Sequence, residues 1–176
     1  MEQPDVGSMG LLVGMALAVY FVNGAPLWHL ALLAVSGGAL FAGLIAAAPY
    51  RLARVLTFLS PEKDPTGAGY QLVQSLVAIG SGGLFGVGLG ASRQKLQYLP
   101  EVAADSIFAI VAEELGFIVV ISFLLLLLLF TYRGFAIARR APDQFSRLFT
   151  VGVFAWFFLQ AFFNIASMIG LLPLTG

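Results

Sequence analysis

Four uninterrupted apolar runs divide the chain, at residues 7–22, 27–48, 115–132 and 148–172. Each approaches or exceeds the roughly 20 residues that a helix needs to cross the hydrocarbon of a bilayer. None of the four contains Asp, Glu, Lys or Arg. Between the second and third runs the pattern changes. Residues 49–114 carry most of the charges and many of the prolines and glycines, yet keep apolar stretches such as "YQLVQSLVAIGSGGLFGVGLG". A connection of this length in a compact protein is functional or disordered, and its apolar content argues against disorder. The pattern predicts an all-α polytopic membrane protein with about four transmembrane helices. A large external loop with short helices, folded in part against the membrane, joins the second span to the third. The expected organisation is two transmembrane helices over 1–48, the loop over 49–114, and two more helices over 115–176 joined by a basic turn.

Composition agrees with the pattern. Hydrophobic residues make up 60% of the 176, only 10% are charged, and mean hydropathy is +0.95; a soluble domain carries about 25% charged residues. The absence of cysteine excludes disulfides and thiolate metal sites. Nine basic residues balance nine acidic ones, so bulk charge suggests no nucleic-acid partner. The opening "MEQPDVGS" is acidic, unlike the basic start of a signal peptide.

Local charge sets an orientation. The turn "YRGFAIARRAPDQFSR" holds Arg133, Arg139, Arg140 and Arg147 against the single acid Asp143, so it is expected in the cytoplasm. Counting spans from there places residues 49–114 outside, and a loop of that length is exempt from the positive-inside rule. An N-terminus outside without a signal, and a chain ending "GLLPLTG" directly after a span, predict a piece of a longer protein.

The segment "YLPEVAADSIFAIVAEELG" places Glu101, Asp105, Glu113 and Glu114 beside the third span. On a helix, Glu113 lies about 80° around from Asp105 and Glu114 about 180°. Glu113 and Glu114 could mark the membrane interface and favour the positive N-terminal end of the span. Asp105 has apolar neighbours in Ala104, Ile107 and Phe108. Such surroundings disfavour a charged carboxylate and move its pKa toward the range of a general base. Arg51 and Arg54 share a helix face at i and i+3, and Arg93 and Lys95 precede "LQYLPE". These cations either snorkel to lipid headgroups or hold a phosphate or diphosphate.

Other features carry less chemistry. The run "GSGGLFGVGLG" lacks the Gly-Lys-Ser/Thr ending of a phosphate loop and follows no strand, so it predicts close backbone packing rather than a nucleotide cradle. Gln160, Asn164 and Ser167 form a stripe on the fourth span, expected to bond between helices. Gly10 and Gly14 form a small-xxx-small pair suited to a close helix contact. His29 stands without clustered ligands and is assigned no chemistry.

Together the blocks "APYRLARVLTFLSPEKDPTGAGYQLVQS", "GSGGLFGVGLGASRQKLQYLPE", "DSIFAIVAEELGF" and "LLPLTG" resemble the SEDS family (shape, elongation, division and sporulation), which includes the FtsW and RodA peptidoglycan polymerases. The wording "SRQKLQYLPE" is closer to the FtsW branch. The resemblance implies a multi-pass enzyme of about ten spans in the bacterial cytoplasmic membrane, of which this chain is roughly spans six to nine. It implies polymerisation of lipid II with undecaprenyl diphosphate as leaving group, in cell division. The family's essential aspartate falls on Asp105. Arg51, Arg54, Arg93 and Lys95, with Gln71, Gln74 and Glu101, are then candidates for binding diphosphate or sugar, and Glu113 and Glu114 for supporting them.

Implied partners are lipid II, a class B penicillin-binding transpeptidase, other division proteins and membrane lipids. No cofactor is required by the sequence, though a divalent cation, Mg2+ or Mn2+, would suit a diphosphate. Two departures stand out. Where the family reads "PEAHTDFIFA", this chain has Val102, Ala103 and Ala104 before Asp105, removing a His-Thr pair of polar neighbours. The segment that opens the family's last span does not follow "LLPLTG", and the fragment alone is expected to be inactive. The alternative from another class is a non-enzymatic flippase for lipid-linked precursors, or a membrane scaffold of the division machinery. Spans free of charged residues count against an ion-coupled pump.

Overall fold

In the computed structural model, residues 6–46, 67–92 and 106–173 are described. They form five helices: α1 (Val6–Val22), α2 (Leu27–Ala46), α3 (Ala68–Ser81), α4 (Ile107–Ala138) and α5 (Gln144–Met168). No strand occurs among the described residues. The all-helical membrane architecture read from the apolar runs is therefore present, with shifted boundaries.

α4 and α5 are long and apolar enough to cross a membrane, while the apolar stretches Gly7–Val22 and Leu27–Leu40 of α1 and α2 are shorter. Only 17% of the most apolar window of α4 and 11% of that of α5 are buried. The core helix of a soluble protein hides most of its surface, so these helices present apolar side chains outward as a bilayer requires. Leu125, Leu126, Leu128, Leu129 and Phe130 are all exposed on α4.

The boundaries moved for local reasons. α4 continues past Tyr132 to Ala138, so Arg133 is helical rather than in a loop. α5 starts before residue 148 because Asp143 caps it. Asp143 Oδ1 accepts from the Ser146 backbone N–H at 2.9 Å and Oδ2 from the Ser146 hydroxyl at 2.7 Å, the arrangement that satisfies an orphan amide of the first turn. α5 ends at Met168 rather than near 172, where Leu171 N–H turns back to the Ala166 carbonyl at 2.8 Å.

The backbone and side-chain bonds from Ser146 hold the Asp143 carboxyl below its ordinary pKa. A depressed carboxylate contributes stability above the unfolded value of about 3.9, and that contribution disappears as pH falls through the folded value. Asp143→Asn keeps the cap but removes the charge. Melting curves of the two proteins should therefore converge as pH drops below about 4; a gap of constant size between pH 7 and pH 3 would contradict this.

The chain divides into two compact units, Met1–Leu52 with Leu127–Ala161 and Ala53–Leu126 with Phe162–Gly176. In the first, small residues admit close helix contacts. Gly14 of α1 meets the Leu159 side chain of α5, and Gly134 of α4 lies against the Phe154 ring. Phe130 and Phe154 pack with ring centroids 4.8 Å apart. His29, given no chemistry by the sequence, shares a hydrogen bond with the Tyr20 hydroxyl at 3.0 Å and stacks its edge on Trp28. In the second unit α3 buries Leu72, Ser75 and Ala78, one face at i, i+3, i+6. Phe108, Ala112, Val120 and Met168 form its apolar cluster with Ile79, Leu124 and Ile165. The Ser75 hydroxyl lies 2.8 Å from the Gln71 carbonyl and 3.2 Å from Met168 Sδ. The expected interhelical stripe on α5 is altered at Ser167, whose hydroxyl donates to its own helix at the Asn164 carbonyl, 2.8 Å away.

Candidate active site

α4 is broken at Gly116, where φ is 78° and ψ 178°. That conformation is left to glycine because a Cβ would be strained there. The break frees carbonyls on one side and amides on the other, and the loop after α3 takes up both. Glu113 and Glu114 carbonyls accept from the N–H groups of Val87 and Gly88 at 2.9 and 3.0 Å. Phe117 and Ile118 N–H groups donate to the carbonyls of Gly83 and Leu84 at 2.9 and 3.3 Å. A glycine-rich loop thus completes the ladder of an interrupted apolar helix, satisfying backbone groups that a bilayer could not. Backbones can approach so closely only without side chains. A Cβ on Gly86 would overlap the Glu114 carbonyl oxygen, and one on Gly116 would overlap the Gly86 nitrogen.

This junction buries the carboxylate pair. Glu113 is 3% exposed and Glu114 9%. Neither is the solvated interface marker that sequence position suggested, nor do they sit at a helix N-terminus. They close the short helical segment before Gly116, with the returning loop over them. Glu113 Oε2 accepts a hydrogen bond from the buried Ser92 hydroxyl. Glu114 Oε1 is buried without a hydrogen-bond partner among the described residues.

Ser92 and Ser106 flank residues 93–105, the stretch bearing Asp105. Both hydroxyls are buried, Ser92 at 1% and Ser106 at 0% exposure. Ser106 Oγ accepts from Gln71 Nε2 on α3 at 3.3 Å. So Gln71, singled out as a binding residue, is brought against the residue next to Asp105, and Gln74 lies partly buried on the same helix. Asp105, Glu101, Arg51, Arg54, Arg93 and Lys95 lie outside the described residues. Sequence reasoning missed Ser92, Ser106 and Gly116. The glycine run did signal close backbone packing, but nothing in "EELGF" marked its partner.

Replacing Ser92 by Ala should cost about 1–3 kcal/mol, because it leaves a buried carboxylate oxygen without this donor. Glu113→Gln, which keeps an oxygen able to accept, should cost less. Thermal unfolding of the full-length protein in detergent compares them, and a Ser92→Ala protein as stable as the parent would contradict the clamp.

A family model for FtsW, RodA and SpoVE, described as a cell cycle protein, matches residues 1–176. The chain belongs to this family. "Stage V sporulation protein E" of Bacillus subtilis (strain 168) is 46% identical over 176 residues, covering 100% of this chain and 48% of that protein. "Probable peptidoglycan glycosyltransferase FtsW" of Thioalkalivibrio sulfidiphilus is 48% identical, covering 99% of this chain and 44% of the relative. A solved structure described as "Structural coordination of polymerization and crosslinking by a peptidoglycan synthase complex" matches with a TM-score of 0.72 and 28% identity, over 99% of this chain and 48% of that one. The chain spans about half the length of the curated relatives it matches. This family is a membrane family, and the apolar helices described above fit it.

Proposed function

We propose that the full-length protein is a peptidoglycan glycosyltransferase of the division type, polymerising lipid II at the outer face of the bacterial cytoplasmic membrane. The observation that carries this reading is the pinning of both ends of the Asp105-bearing stretch, Ser92 on Glu113 and Ser106 on Gln71. A buried, hydrogen-bonded frame on either side is what a catalytic group needs to be held in one geometry. The family match and the names of the relatives support the same reading.

In this mechanism Asp105 accepts the proton of the acceptor sugar's 4-hydroxyl as that oxygen attacks the donor's anomeric carbon. The bond from that carbon to the diphosphate oxygen breaks, the electron pair leaves with the diphosphate, and inversion converts the α-linked donor into a β-1,4 link. Arg51, Arg54, Arg93 and Lys95 neutralise the charge growing on the diphosphate, and Gln71, Gln74 and Glu101 offer polar contacts to sugar or diphosphate. Glu113 and Glu114 support the frame from α4. A divalent cation would supply further charge neutralisation. The described residues bring no three carboxylates or imidazoles together, so no step of the mechanism is routed through one. A class B penicillin-binding transpeptidase is the partner proposed for cross-linking, in keeping with the synthase complex that the fold matches.

The rival reading is a flippase for the same lipid. Detergent micelles separate the two, because they offer no bilayer to cross. Purified full-length protein mixed with labelled lipid II in micelles should yield a ladder of glycan polymers on a gel. Recovery of all the label as monomer, under conditions where the protein is folded, would favour the flippase.

A further inference from the structure

The turn between α1 and α2 and the turn between α4 and α5 line a half-open cavity of about 380 Å³, a volume within the roughly 300–1,000 Å³ of small-ligand sites. Arg139 and Arg147 both line it, with Asn23 and Gln144 as polar neighbours and Pro142 and Leu148 as apolar ones. The wall is braced. Arg147 Nη2 donates to the Val22 carbonyl at 3.0 Å, and Gln144 Nε2 to Asn23 Oδ1 at 2.7 Å. One guanidinium N–H of Arg147 is thereby engaged, and a guanidinium carries five. The Arg139 side chain is exposed, and its guanidinium makes no hydrogen bond with a described residue. The acid in the lining, Asp143, already accepts from the Ser146 amide and hydroxyl. The lining therefore keeps a net positive charge with donors to spare.

Place and chemistry identify the ligand. α4 and α5 are the described helices long and apolar enough to cross a membrane, which puts the turn joining them at a membrane surface, the level at which lipid phosphates stand. Phe145 and Phe149, stacked with centroids 6.1 Å apart, are exposed at the start of α5, where apolar rings can enter the boundary between headgroups and acyl chains. Free phosphate would use the arginines and leave the apolar wall idle. A phosphate with a glycerol backbone and the first acyl carbons would use both. We propose that this cavity binds the headgroup of an anionic phospholipid, its phosphate between Arg139 and Arg147. The inference requires no assumption about catalysis, nor about which leaflet the turn faces.

The test uses full-length protein in neutral detergent, titrated with phosphatidylglycerol and read by native mass spectrometry. An arginine beside an anionic headgroup changes affinity about fivefold, so Arg139→Gln should weaken retention about fivefold and the Arg139→Gln/Arg147→Gln pair about thirtyfold. Arg133→Gln removes the same charge from the same region outside the cavity, and should leave retention unchanged. An equal loss for Arg133→Gln would mean diffuse surface charge and overturn the site. Displacement of the lipid by millimolar inorganic phosphate would overturn the lipid assignment in favour of free phosphate. Arg147→Gln also removes the brace on Val22, so Arg139→Gln decides alone if the double variant misfolds. Retention unaffected by Arg139→Gln would end the proposal.

Discussion

Asp105→Asn in the full-length protein should lower glycan polymerisation about 10²- to 10⁴-fold, the usual loss when a general base is removed. The amide nearly matches the carboxylate in shape, so the flanking Ser92 and Ser106 contacts, which use other residues, have no reason to change. What the amide cannot do at neutral pH is take the proton from the attacking hydroxyl. Substrate binding should be largely preserved, so the loss should fall on kcat rather than KM. Arg54→Ala should show the opposite split: weaker lipid II binding, with an effect that shrinks as salt screens the diphosphate. Labelled lipid II and a polymer gel report the first, and a binding titration at two ionic strengths the second. Parental polymer yield from Asp105→Asn would remove this carboxylate from the mechanism.

What the sequence disclosed followed from the solvent. A bilayer demands long, charge-free helices, so the four apolar runs could be read as helices in their order, while among the described residues only α4 and α5 are long and apolar enough to span it. The helix ends were not legible, because ends depend on single contacts: the Ser146 groups on Asp143 start α5 early, and a turn at Leu171 stops it. The block 98–116 shows the limit more sharply. Along one helix, two adjacent glutamates before a span look like a solvated collar. Only the return of residues 82–92 across the break in α4 buries them, and a contact between residues so far apart leaves no periodicity to read. The glycines of that loop did announce close packing. The residue they pack against is a single glycine inside a long apolar helix, where one more small residue is unremarkable.

That interlock gives the second large effect. Gly86→Ala should destabilise the protein severely, by more than strain alone explains. A non-glycine residue in such a backbone conformation costs about 1–3 kcal/mol. The new methyl would also overlap the Glu114 carbonyl oxygen, which is main chain and cannot rotate away. To relieve the overlap the loop must withdraw from α4. That breaks the bonds from Val87 and Gly88 to the Glu113 and Glu114 carbonyls, each of which costs about 1–3 kcal/mol when left unmade in a buried place. Gly90→Ala is the matched control: its φ of +78° is close to the +80° of Gly86, but a Cβ there meets nothing within 4 Å. It should show the strain and nothing more. Gly116→Ala should resemble Gly86→Ala, since its Cβ would run into the Gly86 nitrogen from the other side. Thermal unfolding of the three full-length variants in one detergent makes the comparison. If Gly86→Ala and Gly90→Ala lost the same stability, backbone conformation alone would account for both, and the close approach of loop to helix would carry no energetic weight.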